Sequence, residues 1–214
     1  RPAEDEPAAR RHVGHLVRLG AVLLAFGQPR FRASALGYFG HQWELYAFWT
    51  LVPMLLASTG LDRGLGSPSG LAFAIIGIGA LGCIAGGTLS HRIGSARVAA
   101  LALAGSAACC ALFPLATHWP APTLFALMLA WGASVVADSP HFSALSAKAC
   151  PPEIVGSALA FQNAIGFAIT LVSIAWGTRL VPEWGPQVAW LLLPGPLFGL
   201  LALTPLWRPA PSRT

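Results

Sequence analysis

Few residues of this chain can do acid–base chemistry, and their spacing sorts them into pairs. Glu44 follows His41 by three positions, so on a helix the two are surface neighbours that can share a proton or a hydrogen bond. Tyr38, His41, Leu45 and Trp49 recur at three- and four-residue steps and form one helical stripe, with Glu44 about 60° from His41 around the axis. Such an aromatic and ionisable stripe suits a hydrated cavity wall. The competing reading is that His41 and Glu44 only tie helices together. A second pair, Asp138 and His141, brackets Pro140. That proline has no amide hydrogen for the carbonyl of Val136 and crowds the turn before it, which predicts a kink with Asp138 and His141 on one face. The alternative ends the helix at Ala137 and makes Asp138 or Ser139 an ordinary N-cap of a cytoplasmic helix starting near Pro140. Gln162 and Asn163 are adjacent amides that must point to different faces, so that one bridges helices and the other is free to reach substrate.

Other chemistry is poorly provided for. There is no HExxH, no GxSxG and no dense His/Asp ligand set, so an embedded enzyme is disfavoured, and neither a metal nor a cofactor is expected. Cys83, Cys109, Cys110 and Cys150 lack CxxC spacing, and three of them sit in apolar stretches.

The elements that must carry these residues follow from composition. The 214 residues are 55% hydrophobic and 10% charged, against about 25% charged in soluble domains. A formal charge of +5 would suggest nucleic acid in a soluble chain, but the basic residues fall outside the apolar runs, so no nucleic-acid partner is expected. A span needs about 20 apolar residues. Six runs qualify: Ala35 to Ala57, Gly70 to Ser90, Val98 to Thr117, Pro122 to Ala147, Gly156 to Leu180 and Gln187 to Trp207. The reading is an all-α polytopic membrane protein. Residues 1–34 form a cytoplasmic segment in which Leu16 to Phe26 lies along the membrane surface, residues 35–207 the six-helix unit, and residues 208–214 a cytoplasmic tail. Eleven basic residues fall on one side, against Arg63 and Arg179 on the other, so both termini are expected in the cytoplasm. Trp119, Trp184 and Trp207 near span ends read as interface anchors. Gly77, Gly79, Gly82, Gly86 and Gly87 let the second helix approach its neighbours closely. Glu44 lies nine residues into the first run, about 13 Å deep, where a charge costs about 2.5–3.5 kcal/mol and usually faces a bundle interior or water. No Arg or Lys lies mid-span, which favours a neutral or cationic solute, or proton movement through carboxylate and imidazole groups.

Gly86-Gly87-Thr88-Leu89-Ser90-His91-Arg92-Ile93-Gly94-Ser95-Ala96-Arg97 resembles the cytoplasmic loop signature of the major facilitator superfamily, with His91 where that family usually has aspartate. Pro151 to Leu159 looks like the family's entry into the fifth helix of a half. Gly37 to Trp49 is similar to the first helix of the C-terminal half in some bacterial members. The resemblance covers the chain from about Arg30 onward. It implies the C-terminal six helices of a twelve-helix transporter, built as two inverted three-helix repeats that enclose a midplane cavity with the other half. It also implies that Gly87, His91, Arg92, Gly94 and Arg97 form a loop that clasps helix ends in one conformation; the plain alternative is topological charge alone.

The expected function is therefore secondary active, proton-coupled transport of a small solute across a bacterial inner membrane, as a symporter or antiporter. Tyr38, His41, Glu44, Trp49, Asp138, His141, Gln162 and Asn163 would line the cavity. The expected partners are the lipid bilayer, the solute, protons, and a missing N-terminal half or a second copy. Because the chain opens at Arg1 in a polar stretch, it reads as part of something longer. The alternative function is a non-transporting membrane assembly or sensor fragment.

Overall fold

The computed structural model describes residues 24–63 and 65–207, apart from the side chain at position 62, and all regular structure among them is helical. The expected surface stretch Leu16 to Phe26 and the tail 208–214 lie largely or wholly outside the described residues.

Helix α1 (Pro29–Thr59) opens on a proline whose fixed φ suits the first helical position, and stops at Gly60 in the left-handed region, φ 69°. Helix α2 (Pro68–Ile93) has Ser67 as its cap, with the Gly70 amide donating to Ser67 Oγ at 3.2 Å. Gly94, at φ 87°, turns the chain into α3 (Ser95–Leu112), which tightens into a 3₁₀ turn, Phe113–Leu115. Helices α4 (Ala121–Ala137) and α5 (Ser139–Ala149) meet at Asp138. Helix α6 (Val155–Trp184) is followed by a 3₁₀ turn, then α7 (Ala189–Leu192) and α8 (Pro194–Leu203).

Four stretches are long and apolar enough to cross a membrane: Pro68–Ile93, Ser95–Leu115, Ala121–Ala149 and the 52 residues Val155–Leu206. Contacts with α1 give their directions. Glu44 meets Ser106 and Cys110 of α3, while Tyr38 clusters with Ala99 and Leu103, so α1 and α3 run parallel. Helix α6 is also parallel to α1, with Gly166 against Tyr38 and Gly177 against Leu51. The α4–α5 pair runs the other way, from Trp131 at Glu44 to Phe142 at Ser34. So does α8, with Gly195 on Gly40 and Gly199 on Gly37. The 52-residue stretch Val155–Leu206 thus consists of two antiparallel arms folded at Gly185, φ 53°.

Most of α1 is buried, including Phe48, Leu51, Val52 and Leu55 at 0% exposure, so it is the axis on which the others pack. Elsewhere the apolar faces stay exposed, as at Phe73, Leu171 and Leu201, which fits lipid contact. Small residues make the remaining joints. On α2, Gly79, Gly82 and Gly86 lie against Val136, Ala133 and Ala137, and Gly132 lies against the backbone of Ile75. Without a hydrophobic drive between helices in lipid, such close approach supplies the packing energy.

Several boundaries differ from expectation. The first helix starts six residues before Ala35, because Pro29 can open it. Pro182, expected in a connector, lies inside α6; a proline removes one helical bond without ending the helix. The final run is not one helix. Pro194 and Pro196 remove two amide donors and split it into α7 and α8.

Candidate functional site

Glu44 sits at the midpoint of α1, fifteen residues from Pro29 and fifteen from Thr59. One of its carboxylate oxygens, Oε1, accepts from three side chains on two other helices: Ser106 Oγ at 2.5 Å, Trp131 Nε1 at 2.7 Å and the Cys110 thiol at 3.1 Å. Three donors converging on one oxygen stabilise charge there, and each is itself satisfied by the contact. The Trp131 ring is held in place by Phe48, with centroids 4.5 Å apart, and by Phe113 at 5.8 Å.

His41 does not bond to Glu44, contrary to the sharing expected from their spacing; each residue serves a different neighbour. The His41 ring spans α1 to the α4–α5 break. Its Nδ1 lies 2.9 Å from Asp138 Oδ1, an ion-pair distance that is off the line for a hydrogen bond, and its Nε2 is 2.9 Å from Ser139 Oγ. The break falls where Pro140 predicts it. Asp138 occupies the cap position of α5 without bonding a backbone amide through its side chain. The cap alternative therefore matches the helix boundary but not the role, because the carboxylate faces His41 instead. The Val136 carbonyl, deprived of a donor by Pro140, is reached by the Cys83 thiol at 3.4 Å.

The remaining expected residues disperse. His141 is buried against Gly86, and its Nε2 has no partner. Tyr38 is buried against Gly166 and Phe142, whereas Trp49 is half-buried with its Nε1 unpartnered. Gln162 Oε1 accepts from Ser146 Oγ at 2.7 Å, and Ser146 Oγ is 2.9 Å from Ser34 Oγ, which joins α1, α5 and α6. Asn163 is exposed on the outer side of α6. The expected loop motif is not a loop: Gly87, His91 and Arg92 belong to the last turns of α2 and Arg97 to the first turn of α3, leaving only Gly94 between the helices. Gly87 is half-buried and the other four are exposed.

The contacts of His41 and Glu44 with Ser106, Cys110, Trp131, Asp138 and Ser139 form a polar layer across the bundle, and the Ser34–Ser146–Gln162 contacts lie nearer the start of α1. Leu45, Phe48, Leu51, Phe113 and Met128 belong to an apolar cluster on one side of it, and Tyr38, Ala99, Leu103, Phe142 and Leu203 to one on the other. His41, Glu44, Asp138 and His141 are 1–4% exposed, so in this conformation the layer is closed to solvent. An apolar groove of about 390 Å³ on the outer surface, lined by Phe39, Trp43, Val172 and Phe198 among others, does not reach it.

Sequence reading missed Ser34, Ser106, Cys110, Trp131, Ser139 and Ser146. A rule was available, since every buried polar atom in a span needs a partner inside the protein. Which partner each takes depends on the helix packing. Comparison with protein-family models, curated proteins and solved structures finds no match.

Proposed function

We propose that this chain is the six-span C-terminal half of a secondary transporter of the major facilitator type. On this reading α1, α2, α3, α4–α5, α6 and α7–α8 are the spans, arranged as two inverted repeats in a bacterial inner membrane, with the basic end and both termini cytoplasmic. The half moves a small neutral or cationic solute together with protons. What supports this reading is the buried layer of Glu44, His41 and Asp138 midway along α1, which sets carboxylate and imidazole groups between two apolar clusters. Each such group is costly in hydrocarbon, and the glycines of α2 and α4 already supply close helix packing without them. Glu44 is the coupling carboxylate, assisted by the separate His41–Asp138 pair and by His141. The α2–α3 corner, with Gly87, His91, Arg92, Gly94 and Arg97, clasps helix ends in one state. The other wall of the pathway comes from an N-terminal half or a second copy.

A second reading has one observation in its favour: the layer is sealed, with Glu44 held by three donors. On that reading the chain is a membrane assembly element that transports nothing.

Labelling with a water-soluble carbodiimide in proteoliposomes separates the two, with modified carboxyls mapped by mass spectrometry. A transporter exposes Glu44 and Asp138 when a pH gradient is imposed. If both stay unlabelled under every gradient while the exposed Glu153 reacts, the transport reading fails. In the whole transporter, Glu44→Gln abolishes gradient-driven accumulation and leaves counterflow exchange; unchanged accumulation rejects the coupling role.

A further inference from the structure

At the end of the bundle where α1 begins and α2 turns into α3, a surface pocket of about 560 Å³ opens. Three helices each bring one cation to it: Arg30 from α1, Arg97 from α3 and Lys148 from α5. Among the described residues no carboxylate lines it, and none of the three cations has an acidic partner. Two of them are placed against local electrostatics. Arg30 lies in the first turn of α1 and Arg97 in the first turn of α3, where the helix dipole disfavours a positive charge, and neither turn holds an acidic residue. Ser95 and Ala96, the first two residues of α3, line the same pocket, and no side chain caps α3 there. The rest of the wall is Gly94 and the apolar Ile93, Leu145, Leu206 and half-exposed Trp207. Converging positive charge beside apolar and indole surface, at the end of bilayer-length helices, calls for an anion with an apolar attachment.

We infer that this pocket binds a phosphate group, and that its source is the headgroup of an anionic phospholipid. The phosphodiester sits among Arg30, Arg97 and Lys148, and the first acyl segments lie along Leu145, Leu206 and Trp207. The inference rests on the membrane setting of the helices and is independent of transport.

The test is native mass spectrometry of the full chain in detergent, titrated with phosphatidylglycerol or with phosphatidylcholine. The expected result is one phosphatidylglycerol retained in preference to phosphatidylcholine. Retention should weaken about fivefold for each single change, Arg30→Gln, Arg97→Gln or Lys148→Gln, and on the order of a hundredfold for the triple change, as expected for roughly one interfacial charge interaction lost per residue. Arg97→Lys, which keeps the charge, restores most of the affinity. All three side chains are exposed at helix ends, so the core is untouched, and the Arg63→Gln/Arg179→Gln variant at the opposite end serves as control. Equal retention by the wild type and the triple variant overturns the inference, as does equal loss in the control. Inorganic phosphate and glycerol 3-phosphate form a separate arm measured by thermal shift. If they stabilise the wild type but not the triple variant, and phosphatidylglycerol is not retained, the phosphate chemistry holds and the lipid source is rejected.

Discussion

Truncating Glu44 to alanine removes the acceptor on which three helices meet. Ser106 Oγ and Trp131 Nε1 then become buried donors with no partner, at a cost of about 1–3 kcal/mol each. The Cys110 thiol, a weak donor, adds little. The lost side-chain volume leaves a cavity beside Trp131, which Phe48 and Phe113 pin in place, so the site collapses poorly. The expected loss for Glu44→Ala is about 3–6 kcal/mol. Glu44→Gln keeps an oxygen at the Oε1 position and should cost no more than about 2 kcal/mol, the difference between charged and neutral hydrogen bonds. Unfolding by dodecyl sulfate titration in mixed micelles, followed by helical circular dichroism, measures both variants. A Glu44→Ala variant within about 1 kcal/mol of the wild type, or a Glu44→Gln variant as unstable as Glu44→Ala, would refute the three-donor geometry.

The same titration applied to Glu44→Ala, Trp131→Phe and the double variant should show coupling of about 0.5–3 kcal/mol, while additive losses would mean that the indole does not bond the carboxylate. Gly132→Ala should destabilise by about 1–3 kcal/mol or more through overpacking, because its new methyl meets the Ile75 backbone. Gly77→Ala faces open space and should be neutral or stabilising by up to about 1 kcal/mol; equal effects at the two sites would contradict the α2–α4 contact. Burial raises the pKa of the half-buried Cys150 thiol at the end of α5, so less thiolate is present at a given pH. Maleimide labelling of Cys150 at neutral pH should be slower than for an unhindered thiol and should still be rising with pH where a free thiol has levelled off; a free-thiol profile would place Cys150 in open solvent.

Periodicity and composition made much of the helical outline legible. Apolar length marked Gly70 to Ser90 and Val98 to Thr117, within a few residues of the helical stretches Pro68–Ile93 and Ser95–Leu115, and Pro140 marked the α4–α5 break because the loss of an amide donor is a local event. Prolines were read less well near the end of the chain: Pro182 stays within a helix while Pro194 splits one. Local rules give the lost bond, whereas the surrounding packing decides whether the helix survives it.

The chemistry divides in the same way. By itself the sequence determined which groups are costly in a bilayer, Glu44, His41, Asp138 and His141, and therefore that each needs a reason to be there. Spacing within one helix paired Glu44 with His41, but hydrogen bonds form between helices, and only their packing assigned Glu44 to Ser106 and Trp131, and His41 to Asp138 and Ser139. Likewise Arg30, Arg97 and Lys148 are dispersed basic residues along the chain and become one pocket only when α1, α3 and α5 end together. Burial cost is a property of a residue type and can be read one position at a time; partnership is a property of distance, which the fold alone sets.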